Sequence, residues 1–238
     1  MSIGYALPES RVSVYNRRML RATWAGLVQA VFRLLYTRLA WTYDAVAWLV
    51  SRGEWPLWGR AALPHLHKGR VLELGSGPGY LLAALADPSP LAVGLDLSPD
   101  MLRRAQRRRG RARLVLGRSQ ALPFCGGAFA TVVSVFPAPY IVDADTVAEV
   151  DRVLASHGHL IVVDHAVLRG RDLYTWIVNL AYTLTSRPLD SSPLPTLLTA
   201  CGFHVQHIPH EMQRARVMAL VAEKTGIPHD MDSPDHSV

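Results

Sequence analysis

Cysteine is scarce in this chain: its 238 residues include only two, Cys125 and Cys201, far apart in the sequence. A disulfide-stapled secreted fold and a Cys-x-x-Cys redox or zinc motif both need more cysteines at closer spacing. Residues 1–20 also lack the apolar stretch of a secretory signal peptide. We therefore expect a reduced, cytoplasmic protein.

Metal-ligand spacing is also lacking, although ten histidines are present. His204, His207 and His210 do not have the i, i+4 spacing that places two ligands on one face of a helix. His65 and His67 flank a predicted loop, which is typical of neutral surface histidines. The sequence therefore predicts no metal site.

No apolar run reaches the roughly 18 residues that suggest a membrane-spanning helix. Residues 22–50 have apolar side chains at helical spacing, but Arg33, Arg38 and Asp44 interrupt them. Two interpretations of this N-terminal helical extension, residues 1–50, remain open. It forms a lid over a ligand site, which we favour, or it lies peripherally on a membrane surface, and both hold if the substrate is a lipid.

Lysine is nearly absent, and arginine carries almost all of the positive charge behind the net charge of +6. The densest arginine run, residues 103–113, suggests nucleic-acid binding. However, no aromatic residue interleaves the run to stack on bases, and cations at the end of a helix complement its dipole. We therefore favour a solvated helix face over a nucleic-acid site.

The composition indicates one folded domain. Half of the residues are hydrophobic and 18% are charged, which excludes a wholly disordered chain. A chain of this length buries most of its apolar surface in one core. We expect the domain to span residues 51–225, followed by a short polar tail, 226–238, that is disordered.

The most informative segment is an apolar run that ends in three alternating glycines. Residues 71–74 include Glu73 and are followed by Gly75, Gly77 and Gly79. Glycines let the backbone approach a ligand closely, and the next helix supplies free N–H groups. One β-α step later Asp96 closes an apolar run, where a carboxylate can accept both hydroxyls of a ribose. The pattern indicates a nucleoside site, and its glycine spacing differs from the G-x-G-x-x-G of dinucleotide folds.

Apolar runs and helical periodicity alternate along the domain. Strands are expected at residues 70–74, 91–95, 112–116, 130–135, 159–163, 204–209 and 216–223. Helices are expected at 80–86, after the capping segment 98–100, and at 144–154, 171–186 and 193–201. The last two strands have almost nothing between them, which predicts a mostly parallel sheet that closes with an antiparallel hairpin.

These landmarks closely resemble the class I S-adenosylmethionine-dependent methyltransferases, within the branch that acts on small molecules and quinones. The resemblance covers residues 40–225 and rests on four segments in the right order: 71–80, 94–99, 121–124 and 154–160. It implies a Rossmann-like α/β fold whose seven-stranded, mostly parallel sheet has the order 3-2-1-4-5-7-6, with an antiparallel last strand and helices on both faces. It also implies S-adenosyl-L-methionine as the cofactor.

The resemblance implies a set of cofactor-binding residues. The glycine turn would carry the methionine half, with Glu73 orienting the turn or binding the amino group, and Asp96 would bind the ribose. Leu97 and Met101 would flank the adenine, and Tyr43, in a Tyr-Asp motif ahead of the domain, would cover the cofactor. The full set is Tyr43, Glu73, Gly75, Ser76, Gly77, Gly79, Tyr80, Asp96, Leu97, Met101, Ser119, Gln120 and Phe136.

Two segments depart from the family pattern. After the third strand the chain reads Gly117-Arg118-Ser119-Gln120, so an arginine stands where relatives have an aspartate that accepts a hydrogen bond from adenine. Arginine has no acceptor, so Ser119, Gln120 or backbone groups must substitute, or Arg118 stacks on the purine. After the fourth strand, Phe136 stands where enzymes that methylate nucleic-acid amines have a polar residue, which argues against base N-methylation.

Few catalytic residues are expected, because the sulfonium is already activated and the protein mainly holds two reactants in place. Asp164 and His165, at the end of the fifth strand, are able to remove a proton from a hydroxyl or phenol. An ordinary strand-end pair is the favoured alternative for these two. Tyr140 is a further candidate at the mouth of the site, as a substrate contact or as packing.

The sequence therefore predicts an S-adenosylmethionine-dependent methyltransferase that modifies oxygen or carbon of a small, apolar or lipid-like acceptor such as a quinone. One rival is a non-catalytic cofactor-binding or partner-binding protein of the same fold, which the missing adenine aspartate supports. A second rival is an RNA methyltransferase, which the arginine run supports.

Overall fold

The computed structural model describes residues 48–85, 91–108, 112–185 and 192–225. The predicted helical extension up to residue 47, with Tyr43, and the predicted disordered tail lie outside these ranges.

Seven strands form one sheet in the order β3-β2-β1-β4-β5-β7-β6. They are β1 (Val71–Leu74), β2 (Val93–Asp96), β3 (Arg113–Leu116), β4 (Phe129–Val135), β5 (Leu154–Leu168), β6 (Phe203–Glu211) and β7 (Ala215–Lys224). The first five strands pair in parallel, and β7 is antiparallel to both of its neighbours, β5 and β6. The predicted strand order and directions are confirmed.

Helices surround this sheet, and local chemistry explains several of their starts. They are α1 (Trp55–Trp58), α2 (Tyr80–Ala84), α3 (Pro99–Arg108), α4 (Ala144–Val153), α5 (Leu173–Thr185) and α6 (Leu194–Ala200), with 3-10 turns at Gly59–His65 and Pro139–Val142. Proline opens α3, where its fixed φ suits the first turn of a helix. The Asp143 carboxylate caps α4 by accepting a hydrogen bond from the Asp145 N–H at 3.2 Å.

The fifth strand is much longer than the predicted 159–163. It pairs with β7 from His159 to Leu168, and a bulge between Val163 and His165 interrupts the register. The apolar pattern showed only the buried centre of β5, because its C-terminal part obtains its backbone hydrogen bonds from the antiparallel partner β7. The extension carries the chain past the point where β4 ends.

The sheet is buried on both faces, which explains why its central strands are continuous apolar runs. Leu72, Val132 and Leu160 belong to the core cluster that includes α4 and α6. Their chain neighbours, Val71, Val133 and Ile161, belong to the opposite cluster with α1 and α2. This alternation follows from the two-residue period of a strand.

Candidate active site

The glycine turn leaves β1 at the edge of the sheet where the parallel strands β1, β2 and β4 have their carboxyl ends. Gly75, Gly77 and Gly79 have φ angles of +67°, +51° and +82°. Side chains with a Cβ rarely adopt this left-handed conformation, so all three positions favour glycine. The predicted turn therefore lies at the edge where ligands bind in open α/β sheets.

Hydrogen bonds join the glycine turn to the end of β2. Two N–H groups of the turn donate to the Leu95 carbonyl at 2.8 and 3.0 Å. The Gly77 N–H donates to Oδ2 of Asp96 at 2.8 Å, and Oδ1 of Asp96 accepts from the Ser98 N–H at 2.7 Å. The structure thus brings together two predicted ligand groups from different strands. Each carboxylate oxygen can still accept another hydrogen bond, as a ribose diol requires.

Glu73 places a buried carboxyl on β1 just before this turn. It is only 3% exposed, and among the described residues neither its Oε2 nor the buried Ser76 hydroxyl has a hydrogen-bond partner. Burial raises the pKa of Glu73 well above its usual value, repulsion from Asp96 adds to this, and a hydrogen bond from the Leu82 N–H opposes it. Burial also raises the pKa of Asp96, against its backbone hydrogen bonds. Unpartnered buried polar atoms are costly, and here they suit a polar ligand.

Among the glycines of the turn, Gly77 is the one that faces open space. A Cβ built at Gly77 would have no neighbour nearer than 3.9 Å. At Gly75 a Cβ would overlap with the Tyr140 hydroxyl, and at Gly79 it would lie 3.0 Å from Ala105. Packing therefore demands Gly75 and Gly79, whereas Gly77 leaves a gap beside Asp96 through which a ligand can reach the backbone.

Tyr140, in the 3-10 turn after β4, bonds to the last residue of β1, next to the glycine turn. Its hydroxyl donates to the Leu74 carbonyl at 3.0 Å and lies 2.9 Å from the Ser134 hydroxyl. Ser134 donates to the same carbonyl at 2.9 Å. Of the two interpretations of Tyr140, these bonds favour packing, so we expect it to act as a positioning residue.

Tyr80 and Arg108 brace the turn from its other side. The Arg108 guanidinium lies 4.7 Å from the centre of the Tyr80 ring and donates to the Pro78 carbonyl at 3.3 Å. A cation over an aromatic ring is attracted to its π face. One member of the arginine run, which the sequence assigned to a solvated helix face, therefore contributes to the candidate site.

Two apolar residues predicted to flank an adenine differ in what they offer. The Leu97 side chain is exposed beside Asp96 and is available for contact. Met101 is fully buried. It has no exposed surface in this structure, and its contact with adenine stays a prediction.

The turn after β3 is anchored to α4. The buried Ser119 hydroxyl lies 3.0 Å from that of Thr146, and the Gln120 amide donates to Asp143 at 3.1 Å. These bonds fix both side chains, and the Gln120 carbonyl oxygen keeps a free lone pair, so its proposed role as a substitute for the missing adenine aspartate stays a prediction. Arg118 is exposed in the same turn.

Phe136 belongs to an aromatic cluster at the end of β4. Its ring stacks on Trp55 with centroids 4.6 Å apart and tilts against Trp58 at 5.8 Å. Its φ is +47°, and its N–H donates to the Val163 carbonyl at 2.7 Å. Phe136 was predicted to contact the cofactor, and the structure adds Trp55 and Trp58 as its neighbours. Trp55 and Phe136 are half-buried, so each keeps surface for a ligand.

Asp164 and His165 lie at the bulge of β5, beside the end of β4. Nδ1 of His165 is 3.2 Å from Oδ2 of Asp164, and both side chains are mostly buried. Bulges re-aim side chains, and they are common next to active sites. A carboxylate on Nδ1 would leave Nε2 as the acceptor of the neutral ring.

The histidines ahead of β1 are not simply solvated. Nε2 of His65 lies 2.8 Å from Nε2 of His210. Burial lowers the pKa of His65, and repulsion from His210 and His159 lowers it further, which favours the neutral ring.

Within the described ranges, no three histidine, cysteine, aspartate or glutamate side chains form a group that could hold a metal ion. No helix in the same part of the chain is long and apolar enough to cross a membrane.

Comparisons with known proteins agree with this geometry. The profile of a family described as "Methyltransferase domain" matches residues 71–158. A demethylmenaquinone methyltransferase of Beutenbergia cavernae is 31% identical over 166 residues, which cover 65% of this chain and 69% of that protein. One of Symbiobacterium thermophilum is 28% identical over 201 residues, with 70% and 80% covered. A solved structure of a geranyl diphosphate methyltransferase in complex with S-adenosylmethionine superposes with a TM-score of 0.56 at 13% identity. The match covers 77% of this chain and 91% of that one, and it shows that the two proteins share a fold.

The chain therefore belongs to the class I S-adenosylmethionine-dependent methyltransferases. Within that class it is a small-molecule methyltransferase with S-adenosylmethionine as its cofactor. The described residues fit this group. The unpartnered Oε2 of Glu73 suits a cationic amino group, Asp96 suits the ribose diol, and the gap at Gly77 admits the ligand beside the backbone.

The sequence did not reveal every residue that shapes the site. Trp55 and Trp58 were expected to line an apolar pocket or to belong to the core, but their contact with Phe136 was not foreseen. Arg108 also contacts residues that are distant in sequence, and nothing in local spacing signals such pairs. Gly94 on β2 had a clearer signal, since glycine is unusual inside a buried strand. A Cβ at Gly94 would lie 3.0 Å from the Ser76 side chain, so Gly94 makes room for the turn.

Proposed function

We propose that this protein transfers a methyl group to oxygen or carbon of a small apolar acceptor, with quinols and phenols as the substrate class. The observation that carries the proposal is the Asp164–His165 pair, held by the β5 bulge near the aromatic cluster. The two curated relatives described above are named for a quinone-type substrate, which supports the same class.

Glu73, Asp96 and the glycine turn would hold the cofactor. S-adenosylmethionine supplies a methyl group on a positively charged sulfur, which leaves as a neutral thioether. The chain's own task is to bind both reactants, exclude water and aim the acceptor at that methyl group. Leu97 would cover one side of the purine. Tyr43, which lies outside the described residues, is proposed to cover the cofactor as well.

The aromatic cluster is suited to an aromatic acceptor. Trp55 and Phe136 present ring surface at the carboxyl end of β4, and aromatic rings pack favourably in stacked or tilted geometries. A quinol or phenol ring placed there would bring its hydroxyl towards the neighbouring end of β5. We propose this cluster as one wall of the acceptor pocket.

His165 would act as the general base. The proton of the acceptor hydroxyl would move to Nε2 of His165, while Asp164 accepts the hydrogen bond from the Nδ1–H and fixes the ring. Loss of that proton raises the electron density on the acceptor oxygen and on the ring carbons next to it. Either atom then becomes a stronger nucleophile. For C-methylation, the ring carbon that gains the methyl group must afterwards lose its own proton to restore the aromatic ring, while the oxygen can recover a proton from His165. One arrangement would therefore serve both O- and C-methylation.

The test is methyl transfer from labelled S-adenosylmethionine to a panel of quinols and phenols. We expect transfer by the wild type and a loss in kcat of about a hundredfold or more in His165→Gln, with the cofactor Kd unchanged. His157→Gln is the matched control, because His157 lies near the start of β5, away from the bulge, and its side chain is exposed. Full activity of His165→Gln would remove the base from the mechanism. Cofactor binding without transfer to any member of the panel would remove the acceptor class.

A further inference from the structure

Helix α5 carries an exposed stripe of large apolar side chains. Leu173, Trp176, Ile177 and Leu180 are 71%, 62%, 51% and 40% exposed. Their spacing of i, i+3, i+4 and i+7 places them on one side of the helix. Scattered exposed apolar residues are ordinary, but a stripe of this size usually marks a contact surface. We call these four residues the apolar face.

The segment just before α1 adds to this surface. Trp48 and Leu49 are both largely exposed. The Tyr174 hydroxyl of α5 donates to the Leu49 carbonyl, which holds the segment against the helix. The Arg52 guanidinium completes the link, 2.7 Å from the Asp172 carboxylate and 4.6 Å from the centre of the Tyr174 ring.

Arginines gather at the start of α5. We call this group the arginine rim, and it consists of Arg52, Arg169, Arg171, Arg214 and Arg216. The Arg169 N–H donates to the Arg214 carbonyl at 2.6 Å, and both Arg169 and Arg216 bond to Glu211, at 2.8 and 2.6 Å. Among the described residues, the rim contacts the acids Asp172, Glu211 and the buried Glu54. Five arginines against these three acids leave the rim with net positive charge.

We propose that the apolar face and the arginine rim dock the protein on a bilayer that carries anionic headgroups. Tryptophan and aliphatic side chains enter the interfacial layer of a membrane, and arginines beside them are attracted to its negative surface. A second copy of this chain fits less well, because a two-fold contact through this face would bring two positive rims together.

This docking would place the acceptor side of the site next to the lipid. Helix α5 follows β5 closely, and β5 carries Asp164 and His165 at its bulge. A lipid-like acceptor could then enter without crossing water, a consequence that rests on the proposed function. The docking itself depends only on the surface, so it is tested without any methyl transfer.

Vesicle flotation with the full chain tests the proposal. We expect the protein to float with vesicles of equal parts phosphatidylcholine and phosphatidylglycerol, and at least tenfold less with phosphatidylcholine alone or at high salt. Trp176→Glu and Ile177→Glu should each abolish flotation. Leu91→Glu is the matched control, since Leu91 is as exposed as these residues but lies ahead of β2; it should float like the wild type.

Calorimetry with S-adenosylmethionine on the same proteins shows that each variant is folded and reports on the cofactor site separately. No flotation with the anionic vesicles would overturn the proposal. Equal flotation of the glutamate variants would place the membrane contact elsewhere and overturn it too. A dimer in gel filtration that Trp176→Glu dissociates would assign the face to a second copy instead.

Discussion

At the scale of single residues, the surroundings of Glu73 disfavour its charged form. Its carboxyl is buried near Asp96, so its pKa in the folded protein lies well above the value of about 4.3 expected in the unfolded chain. A group with a raised folded pKa stabilises the fold below its unfolded pKa, and this contribution is lost as pH rises towards the folded pKa. At neutral pH, Glu73 therefore weakens the cofactor-free protein.

This destabilisation predicts opposite effects of Glu73→Gln on stability and on cofactor binding. The variant should be more stable than the wild type against urea at pH 7, and the difference should shrink at pH 4, where the wild-type carboxyl is neutral in the folded protein and mostly neutral in the unfolded chain. Calorimetry should show at least tenfold weaker binding of S-adenosylmethionine, because a neutral amide cannot pair with the cationic amino group. In the wild type, affinity should rise with pH, since binding the cation releases the Glu73 proton.

Glu149 provides a control of opposite sign for this experiment. The hydrogen bond from Arg152 lowers the pKa of Glu149. Glu149→Gln should therefore reduce stability at pH 7 and lose that effect as pH falls through the range below the usual glutamate value. Equal stability changes in Glu73→Gln at both pH values would contradict the account of Glu73.

Asp96 and Gly77 test the assignment of the cofactor site directly. Asp96→Ala and Gly77→Val should each weaken binding of S-adenosylmethionine at least tenfold, equivalent to about 1.4 kcal/mol. The change Asp96→Ala removes the carboxylate oxygens that would accept hydrogen bonds from the ribose. The valine side chain in Gly77→Val fills the gap through which the ligand would reach the backbone. Isothermal titration measures both.

Two further variants control for a general loss of folding or stability. Asp100→Ala removes an acid of α3 that pairs with Arg103 at the surface. Gly127→Val introduces the same backbone strain as Gly77→Val, because Gly127 has a φ of +66° with open space around it. Both controls should bind the cofactor like the wild type, and unchanged affinity in both site variants would disprove the assignment.

At the scale of elements, the glycine turn is held from three directions. The end of β2 bonds to its N–H groups, the 3-10 turn at Pro139–Val142 supplies the Tyr140 hydroxyl, and α3 supplies Arg108. Preorganisation of this kind lowers the free energy that ligand binding must spend on ordering the turn. The turn's geometry therefore depends on these three elements as well as on its own glycines.

Tyr140→Phe tests this support. Loss of one hydrogen bond of about 1 kcal/mol should weaken cofactor binding about fivefold while kcat at saturating cofactor stays close to the wild type. A structural contribution alone would lower stability without changing the cofactor KM. Tyr174→Phe, which removes a tyrosine hydroxyl bond on α5, should leave the cofactor KM unchanged.

Elements also show where prediction from the sequence reached its limit. The strand β4 was predicted within a residue or two, because its β-branched run is buried on both faces. The bulge at Asp164 and the C-terminal part of β5 were missed, because their backbone partners lie on β7, about fifty residues later in the chain. Local patterns report burial well, but they carry no signal for which strand will supply the hydrogen bonds.

At the scale of the whole molecule, the cofactor should stabilise the fold, since its site joins β1, β2 and α3. A ligand at a hundred times its Kd adds about 2.7 kcal/mol to the free energy of unfolding. For a protein of this size we expect the melting temperature to rise by about 5–10 °C in a thermal scan. Asp96→Ala should show a much smaller rise at the same concentration of S-adenosylmethionine, and an equal rise would place the cofactor elsewhere.

The amino-acid sequence predicted the alternation of strands and helices and the turn with Glu73 and Asp96, and its resemblance to a family predicted the strand order. The strands, the helices and the turn depend on local conformation: glycines with positive φ, apolar periods and acids at strand ends. The folded structure was needed to show that Tyr140 braces the turn, that Met101 is buried, that Trp55 stacks on Phe136, and that α5 keeps an apolar face exposed. These outcomes depend on which surfaces meet across the sheet, and contacts between residues far apart in the chain leave no mark in local spacing.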